Sequence, residues 1–117
     1  MTPFDPKRGE IWLVDLEPTR GSELQKIRPM VVLSSDTIRL LTLRVAVPLT
    51  GWQAHFSATP WKIRIEPDTQ NSLSKTSAAD SLQIRCLSLD RFSKRLGLLP
   101  KSTIENIIYA VNYCLEE

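Results

Sequence analysis

Short apolar runs, bounded by proline, glycine or polar turn residues, recur along most of this 117-residue chain. Runs of this length that are rich in Val, Ile and Leu are typical of β-strands, because they are too short for an ordinary helix. Pro18 and Gly21 interrupt the segment after the first run, so a loop is expected there. The pattern predicts five strands, over residues 9–16, 29–35, 44–50, 61–65 and 80–87.

The C-terminal segment is the one long stretch with helical periodicity. Ser102, with Glu105 three residues later, has the form of a capping box and places the helix start there. A shorter helical turn is expected over residues 88–92. Five short strands and one terminal helix indicate a mainly β (α+β) fold, a small bent barrel or sheet with the helix packed on it. The apolar stripe of the helix comprises Ile104, Ile107, Ile108, Val111 and Leu115.

Length and composition predict one globular domain over residues 1–117. Hydrophobic residues make up 42% and charged residues 24% of the chain, and the net charge of +2 is too small to indicate a nucleic-acid partner alone. No apolar run approaches the ~20 residues of a membrane span, and the N-terminus lacks the pattern of a signal peptide. We therefore expect a cytoplasmic protein. Cys86 and Cys114 have no metal-ligand or disulfide spacing and are expected to be packing residues.

The inventory of reactive side chains excludes many enzyme classes. His55 is the only histidine, which excludes a paired-histidine mechanism or a three-histidine metal site within one subunit. The carboxylates are scattered, and there is no glycine-rich phosphate loop. Arg, Thr, Ser and Gln remain, and these suit phosphate, since guanidinium offers a rigid fork of donors. RNA supplies its own 2′-hydroxyl nucleophile, so a site without metal or cofactor is chemically sufficient to cleave it.

Three spaced elements in the strand–loop–strand from Arg8 to Ser35 carry a family resemblance. They are RGEIW at 8–12, PTRGSE at 18–23, and the Arg28-Pro29 dipeptide that opens the next strand. In this order and spacing they resemble the N-terminal signature of the MazF/PemK toxin endoribonucleases. The segments 47–50 and 83–92 resemble later parts of the same family, and the similarity covers essentially the whole chain.

The resemblance implies an SH3-like β-barrel of the CcdB and MazF type and a role as the toxin of a type II toxin–antitoxin system. It implies a metal-independent, sequence-specific endoribonuclease that leaves a 2′,3′-cyclic phosphate and a 5′-hydroxyl on single-stranded RNA. It also implies a homodimer, a cognate MazE-like antitoxin that blocks the groove, and contact with operator DNA only through that antitoxin. Arg28 matches the catalytic arginine of the family and Thr50 its catalytic threonine. Residues expected to line the RNA groove are Arg20, Gly21, Ser22, Glu23, Gln83 and Arg85.

Trp52 follows Thr50 and Gly51 in a loop, where its indole ring could stack on a base. Trp12, inside the first strand, is expected in the core instead. Arg85 could equally be a structural ion-pair donor.

One position departs from the family pattern. Many relatives carry Asp or Glu just before the groove glutamine, where a proton acceptor has been placed, and here that residue is Leu82. Asp80 would share a strand face with Leu82, so Asp80 or Glu23 could accept the proton instead. Arginine is a poor base at neutral pH, and Arg28 is therefore assigned to charge stabilisation.

Two other functions stay open from the sequence. One is a non-catalytic toxin of the same fold that binds a protein target such as a topoisomerase, since fold does not fix function. The other is a nuclease-dead module that binds RNA or antitoxin, which the departure at Leu82 would favour.

Overall fold

The computed structural model describes residues 4–16, 27–38 and 40–116. Its main element is an antiparallel sheet of seven strands. The strands are β1 Glu10–Asp15, β2 Ile27–Val32, β3 Leu43–Gly51, β4 Lys62–Ile65, β5 Ser77–Asp80, β6 Arg85–Ser88 and β7 Phe92–Leu98. Their order is β4-β5-β3-β2-β1-β7, with β6 paired to β3 beside β5. The two end strands, β4 and β7, do not pair with each other within the described ranges, so the barrel-like sheet stays open.

The long strand β3 holds the two halves of the sheet together. Its middle pairs with β2, its first half pairs with β6, and its last three residues pair with β5. Since β2 occupies one edge of β3, β5 and β6 follow one another along the other edge. The prediction of a single strand over residues 80–87 is therefore wrong, because this segment includes the end of β5, a turn and most of β6.

The chain from Asp80 to Leu87 is interrupted by a 3₁₀ turn at Ser81–Gln83. The N–H of Ser81 donates to the carbonyl of Trp61, while the side chain of Gln83 bonds back to Asp80. The chain thus leaves the edge of β3 after β5 and returns to it with β6. Asp80 and Leu82 consequently do not share a strand face, contrary to the expectation from alternation.

Helix α1, Lys101–Leu115, covers one face of the sheet. Its N-cap lies two residues before the predicted one, because Pro100 rather than Ser102 occupies that position and the Pro100 carbonyl accepts the first helical bonds. Ser102 therefore lies inside the first turn and is not the cap. The first core packs between helix and sheet and comprises Ile11, Val31, Leu33, Val47, Leu49, Ile65, Ala79, Leu99, Ile104, Ile107 and Val111.

A second core lies on the opposite face of the sheet, away from the helix. It includes Trp12, as predicted for a core residue, and Trp12 donates its indole N–H to Glu10. The alternation of β2 and β3 divides their residues between the two cores, as period two requires. The other members are Val14, Leu16, Met30, Val32, Ala46, Leu87 and Phe92.

The predicted helical turn is present as a 3₁₀ turn at Leu89–Arg91. Strand β7, which follows it, was not predicted from the sequence. Cys86 is exposed and Cys114 half-buried, so the assignment of Cys86 as a packing residue is wrong. Both thiols are free. Within the described ranges, no helix is both long and apolar enough to cross a membrane.

Candidate active site

On the face of the sheet that carries the second core, polar side chains lie next to the end of that core. In β3, Ala46 belongs to that core, and Thr50, four residues further on, projects from the same face. Thr50 lies opposite Ala78 of β5, and Lys62 of β4 lies opposite Asp80. Arg28 shares the face of Met30 in β2, two residues away. Register alone therefore brings the side chains of four strands to one half of this face.

Arg28 and Thr50 line the same small cavity, of about 220 Å³. Among the described residues, the guanidinium of Arg28 makes one long hydrogen bond, from Nη1 to the carbonyl oxygen of Leu49 at 3.3 Å. Its Nε and the hydroxyl of Thr50 are buried without a hydrogen-bond partner in the same ranges. An unsatisfied buried donor costs about 1–3 kcal/mol, so native proteins tolerate few of them. Two residues with such groups line one cavity, which makes it a candidate binding site for an anionic ligand.

A second cavity, of about 500 Å³, adjoins the first at Thr50 and Gly51. Asp80, only 2% exposed, lies in its wall. One carboxylate oxygen of Asp80 accepts hydrogen bonds from the ammonium of Lys62, at 3.1 Å, and from the amide of Gln83, at 2.8 Å. The other oxygen, Oδ1, is buried and has no hydrogen-bond partner among the residues that the structure describes. Asp80 is thus held in place with one acceptor unused.

Two aromatic rings form the far wall of the second cavity. Trp52 and Phe56 meet edge to face, with their centroids 5.6 Å apart. The Lys62 ammonium lies 4.4 Å from the centre of the Phe56 ring, and the Arg64 guanidinium lies 5.3 Å from that of Trp52. Cations over aromatic rings hold these side chains in fixed orientations. The resulting wall combines apolar surface with positive charge, which suits the bases and phosphates of a single strand.

The sequence-predicted site residues divide into three groups. Arg28, Thr50, Gln83, Trp52 and the alternative acceptor Asp80 all line the two adjoining cavities. Arg85 lies on β6 opposite Ala46 and is absent from the walls of both cavities, as far as the described residues define them. The predicted loop residues Arg20, Gly21, Ser22 and Glu23 lie outside the described residues.

Sequence reasoning did not single out several residues that line the cavities, among them the two lysines Lys62 and Lys75 and the aromatic Phe56. Lys62 has a weak signal, since the alternation of residues 61–65 puts it on one face with Arg64. Phe56 and Lys75 lie in connections between strands and carry no local signal. Their place in the site depends on the pairing of β3 with β5.

Leu82 projects away from the site. Its side chain is exposed and lines a separate cavity with Trp61, Tyr113 and Cys114. A carboxylate at this position would therefore not reach the wall that holds Thr50. Within the described ranges, no group of three His, Cys, Asp or Glu side chains is placed to hold a metal ion.

The fold is that of a known class of toxin. The model of the PemK-like, MazF-like toxins of type II toxin–antitoxin systems matches residues 7–115, and the chain belongs to this family. The resemblance identified from the segment 8–35 is thereby confirmed.

Particular relatives show the same relationship. The chain is 30% identical over 116 residues to endoribonuclease MazF9 of Mycobacterium tuberculosis, covering 94% of this chain and 96% of that protein. It is 29% identical over 109 residues to endoribonuclease MazF of Staphylococcus saprophyticus, covering 93% and 90%.

Solved structures confirm the fold. MazF from Deinococcus radiodurans superposes with a TM-score of 0.77 at 20% identity, over 96% of this chain and 97% of that one. A mycobacterial endoribonuclease in complex with its cognate antitoxin gives 0.72 at 22% identity, over 94% of both chains. At these identities the superpositions establish the architecture alone.

Proposed function

We propose that this protein is a toxin endoribonuclease that cleaves single-stranded RNA without a metal ion, through attack of a 2′-hydroxyl on the adjacent phosphate. One observation carries the proposal. Arg28 and Thr50 line one cavity on the framework of this family, and the buried Nε of Arg28 and the buried hydroxyl of Thr50 have no hydrogen-bond partner among the described residues. A phosphate bound there would accept the hydrogen bonds that both groups lack.

The reaction forms a bond from O2′ to phosphorus and breaks the bond from phosphorus to O5′. The 2′-hydroxyl gives up a proton and O5′ gains one, so the products are a 2′,3′-cyclic phosphate and a 5′-hydroxyl. Negative charge on the non-bridging oxygens rises along the way. Arg28 and Thr50 supply fixed donors to those oxygens, and preorganised donors of this kind are a main source of catalysis.

Asp80 is the better of the two candidates to accept the proton of the 2′-hydroxyl. It lines the cavity that adjoins Thr50, and its Oδ1 has no other partner. Lys62 and Gln83 hold the carboxylate through Oδ2 and so orient the unused oxygen. Since Leu82 faces another cavity, its lack of a carboxyl group does not argue against catalysis. Glu23, the other candidate, lies outside the described residues.

Relatives suggest the partners of the protein. A mycobacterial endoribonuclease was solved with its cognate antitoxin, and MazF of Deinococcus radiodurans with MazE. By analogy this chain would bind a MazE-like antitoxin across the groove, act in the cytoplasm as a homodimer, and reach operator DNA only through the antitoxin.

The test is incubation of the purified protein with a mixed pool of long single-stranded RNA in EDTA, followed by mapping of the cut sites. We expect defined cuts whose 3′ ends carry a cyclic phosphate. Replacing the 2′-hydroxyl at a mapped site with hydrogen should abolish cleavage there. Continued cleavage of that deoxy substrate would exclude the 2′-hydroxyl route, and intact RNA throughout would favour a binding toxin or a nuclease-dead module.

An Asp80→Asn variant tests the acceptor, because the amide keeps the shape of the side chain but cannot take a proton. We expect cleavage to fall by about 10²–10⁴-fold. Gln83→Glu is the matched comparison, since it changes the neighbour of Asp80 and leaves the carboxylate. Full activity of Asp80→Asn would assign the proton transfer to another group.

A further inference from the structure

Lys75 occupies the point where the two cavities of the site meet. It lies in the connection that leads into β5, and it lines both cavities, as do Thr50 and Gly51. The connection is anchored against the end of β3. The N–H of Trp52 donates to the carbonyl of Thr76 at 3.0 Å, and the hydroxyl of Ser77 donates to the carbonyl of Lys75 at 3.0 Å. The backbone of Lys75 is therefore fixed relative to Thr50.

The ammonium of Lys75 rests over a glycine. A Cβ at Gly51 would come within 3.1 Å of the Lys75 Nζ, tighter than ordinary contact. A side chain at Gly51 would therefore displace the Lys75 ammonium slightly from its place beside the end of β3.

Lys75 differs from the other cations of this face in its pairing. Lys62 is paired with Asp80 at 3.1 Å, and Arg64 with Glu66 at 2.8 Å. Across the described ranges, no carboxylate lies within ion-pair distance of Lys75. Its side chain is exposed, so its ammonium can accept an anionic ligand without first leaving a partner.

We propose that Lys75 binds the scissile phosphate together with Arg28, as a second cationic contact to its non-bridging oxygens. The inference rests on the proposed function and adds a residue to its site. Arg28 offers a planar fork, whereas an ammonium is a compact charge with three rotatable donors. Lys75 can therefore follow the phosphate as its oxygens move during attack. Its role is charge stabilisation, and no proton transfer is assigned to it.

The test compares Lys75→Gln with Lys94→Gln. Lys94 is an exposed lysine of β7, at the other end of the sheet, and controls for loss of one positive charge. Loss of a charged hydrogen bond predicts a decrease of roughly 10- to 150-fold in single-turnover cleavage for Lys75→Gln, and no change for Lys94→Gln. Lys75→Arg should recover most of the activity. Circular dichroism and thermal unfolding report whether the variants stay folded.

A binding measurement separates phosphate contact from a general effect on the site. The RNA is a short strand with a 2′-deoxy nucleotide at the mapped cut site, and its scissile phosphate is either natural or an uncharged methylphosphonate. We expect Lys75→Gln to weaken binding of the natural strand and leave the methylphosphonate strand unaffected. The slope of log affinity against log salt should also fall by about 0.7, the value for one contact to a single strand.

Lys75→Gln that cleaves like Lys94→Gln would overturn the inference. A binding penalty of equal size on the methylphosphonate strand would overturn it as well. If the wild-type protein binds RNA and cuts none, the proposed function fails, and the affinity and salt slope of Lys75→Gln against those of Lys94→Gln on the bound RNA still decide whether Lys75 contacts a phosphate. If it neither binds nor cuts RNA, both fail.

Discussion

Arg28 and Arg44 lie at opposite ends of the second core, and their surroundings differ sharply. Arg44, 2% exposed, donates to the carbonyls of Pro6, Leu41 and Leu43 at 2.8–2.9 Å and pairs with Asp5 at 3.0 Å. Within the described part of the chain, Arg28 makes one hydrogen bond, at 3.3 Å, and keeps a buried Nε without a partner. The comparison separates an arginine that stabilises the fold from one whose donors remain available to a ligand.

The difference also shows where the fold tolerates an energetic cost. Buried donors without partners lower stability, and such costs concentrate where function requires them. Arg28 has a buried donor without a partner among the described residues, whereas Arg44 donates several hydrogen bonds. Replacing Arg28 should therefore lower activity and leave stability intact, and replacing Arg44 should lower stability and leave activity intact.

Among the replacements that test this comparison, the largest expected effect is the loss of cleavage in Arg28→Ala. Removing one preorganised donor from a site that stabilises developing charge costs about 10²–10³-fold in rate. Stability should stay unchanged or rise slightly, since an unsatisfied buried donor is removed. Single-turnover cleavage and urea unfolding measure the two quantities. A strong loss of stability with activity per folded molecule intact would erase the contrast with Arg44.

Arg44→Met should show the reverse pattern. Its removal leaves several carbonyl oxygens near Pro6 and Leu41 without donors, and we expect unfolding to become easier by about 2–4 kcal/mol. Cleavage per folded molecule should be unaffected, because Arg44 lies at the end of β3 remote from Thr50. Urea unfolding compared with Arg28→Met provides the check. Equal stability of the two variants would show that the satisfied bonds of Arg44 contribute little.

Thr50→Val sharpens the comparison with a smaller change. Valine keeps the shape of threonine, and the hydroxyl that it removes is buried without a partner. We expect a fall in cleavage of about 10- to 100-fold, the value of one or two hydrogen bonds, with stability equal or higher by up to about 1 kcal/mol. Thr42→Val, an exposed site before the same strand, is the matched control. A marked destabilisation of Thr50→Val alone would mean that its hydroxyl already has a partner in solution.

The smallest effect concerns a third cation, Arg95, and its partner Glu10. Burial raises the pKa of Glu10, but hydrogen bonds from the Lys7 N–H and from Arg95 and Trp12 outweigh it, so the pKa lies below the ordinary value of 4.5. A carboxyl group whose pKa is lower in the folded protein stabilises the fold at pH values above its ordinary pKa. This stabilisation is lost as the pH falls through the pKa of the folded state.

Between pH 5 and pH 3, the free energy of unfolding of the wild-type protein should therefore fall by up to about 1 kcal/mol more than that of Glu10→Gln. The effect is small because Arg95 is exposed and solvent screens its charge. Thermal unfolding across this range measures the difference. Parallel pH profiles for the two proteins would show that the Glu10 carboxylate has the same pKa folded and unfolded.

Much of the fold could be predicted where alternation is regular. β1 to β4 agree with the sequence pattern within one to three residues at their ends. β7 could not be predicted, because register irregularities against β1, next to Trp12 and next to Val14, break the period-two pattern. The turn within residues 80–87 depends on a bond from Ser81 to Trp61, a contact that no local pattern encodes.

The site was predictable only in part. Arg28, Thr50 and Gln83 were identified through the resemblance to a family, and Asp80 through its spacing from Leu82. Lys75 was not, because its position depends on the pairing of β5 with the end of β3. The spacing of Asp80 and Leu82 also led to one wrong expectation, that their side chains lie on the same face of a strand. The chain turns between the two residues.

Strand β3 has one further consequence, for the way the molecule opens. Because β3 pairs with β2, β5 and β6 and contributes to both cores, we expect its amide hydrogens to exchange with solvent mainly when the whole protein unfolds. Thr50 pairs with Ala78 in this sheet, so the end of β3 should stay in place during local fluctuations, whereas the largely exposed 3₁₀ turn at Ala54–Ala58 should exchange its amide hydrogens faster.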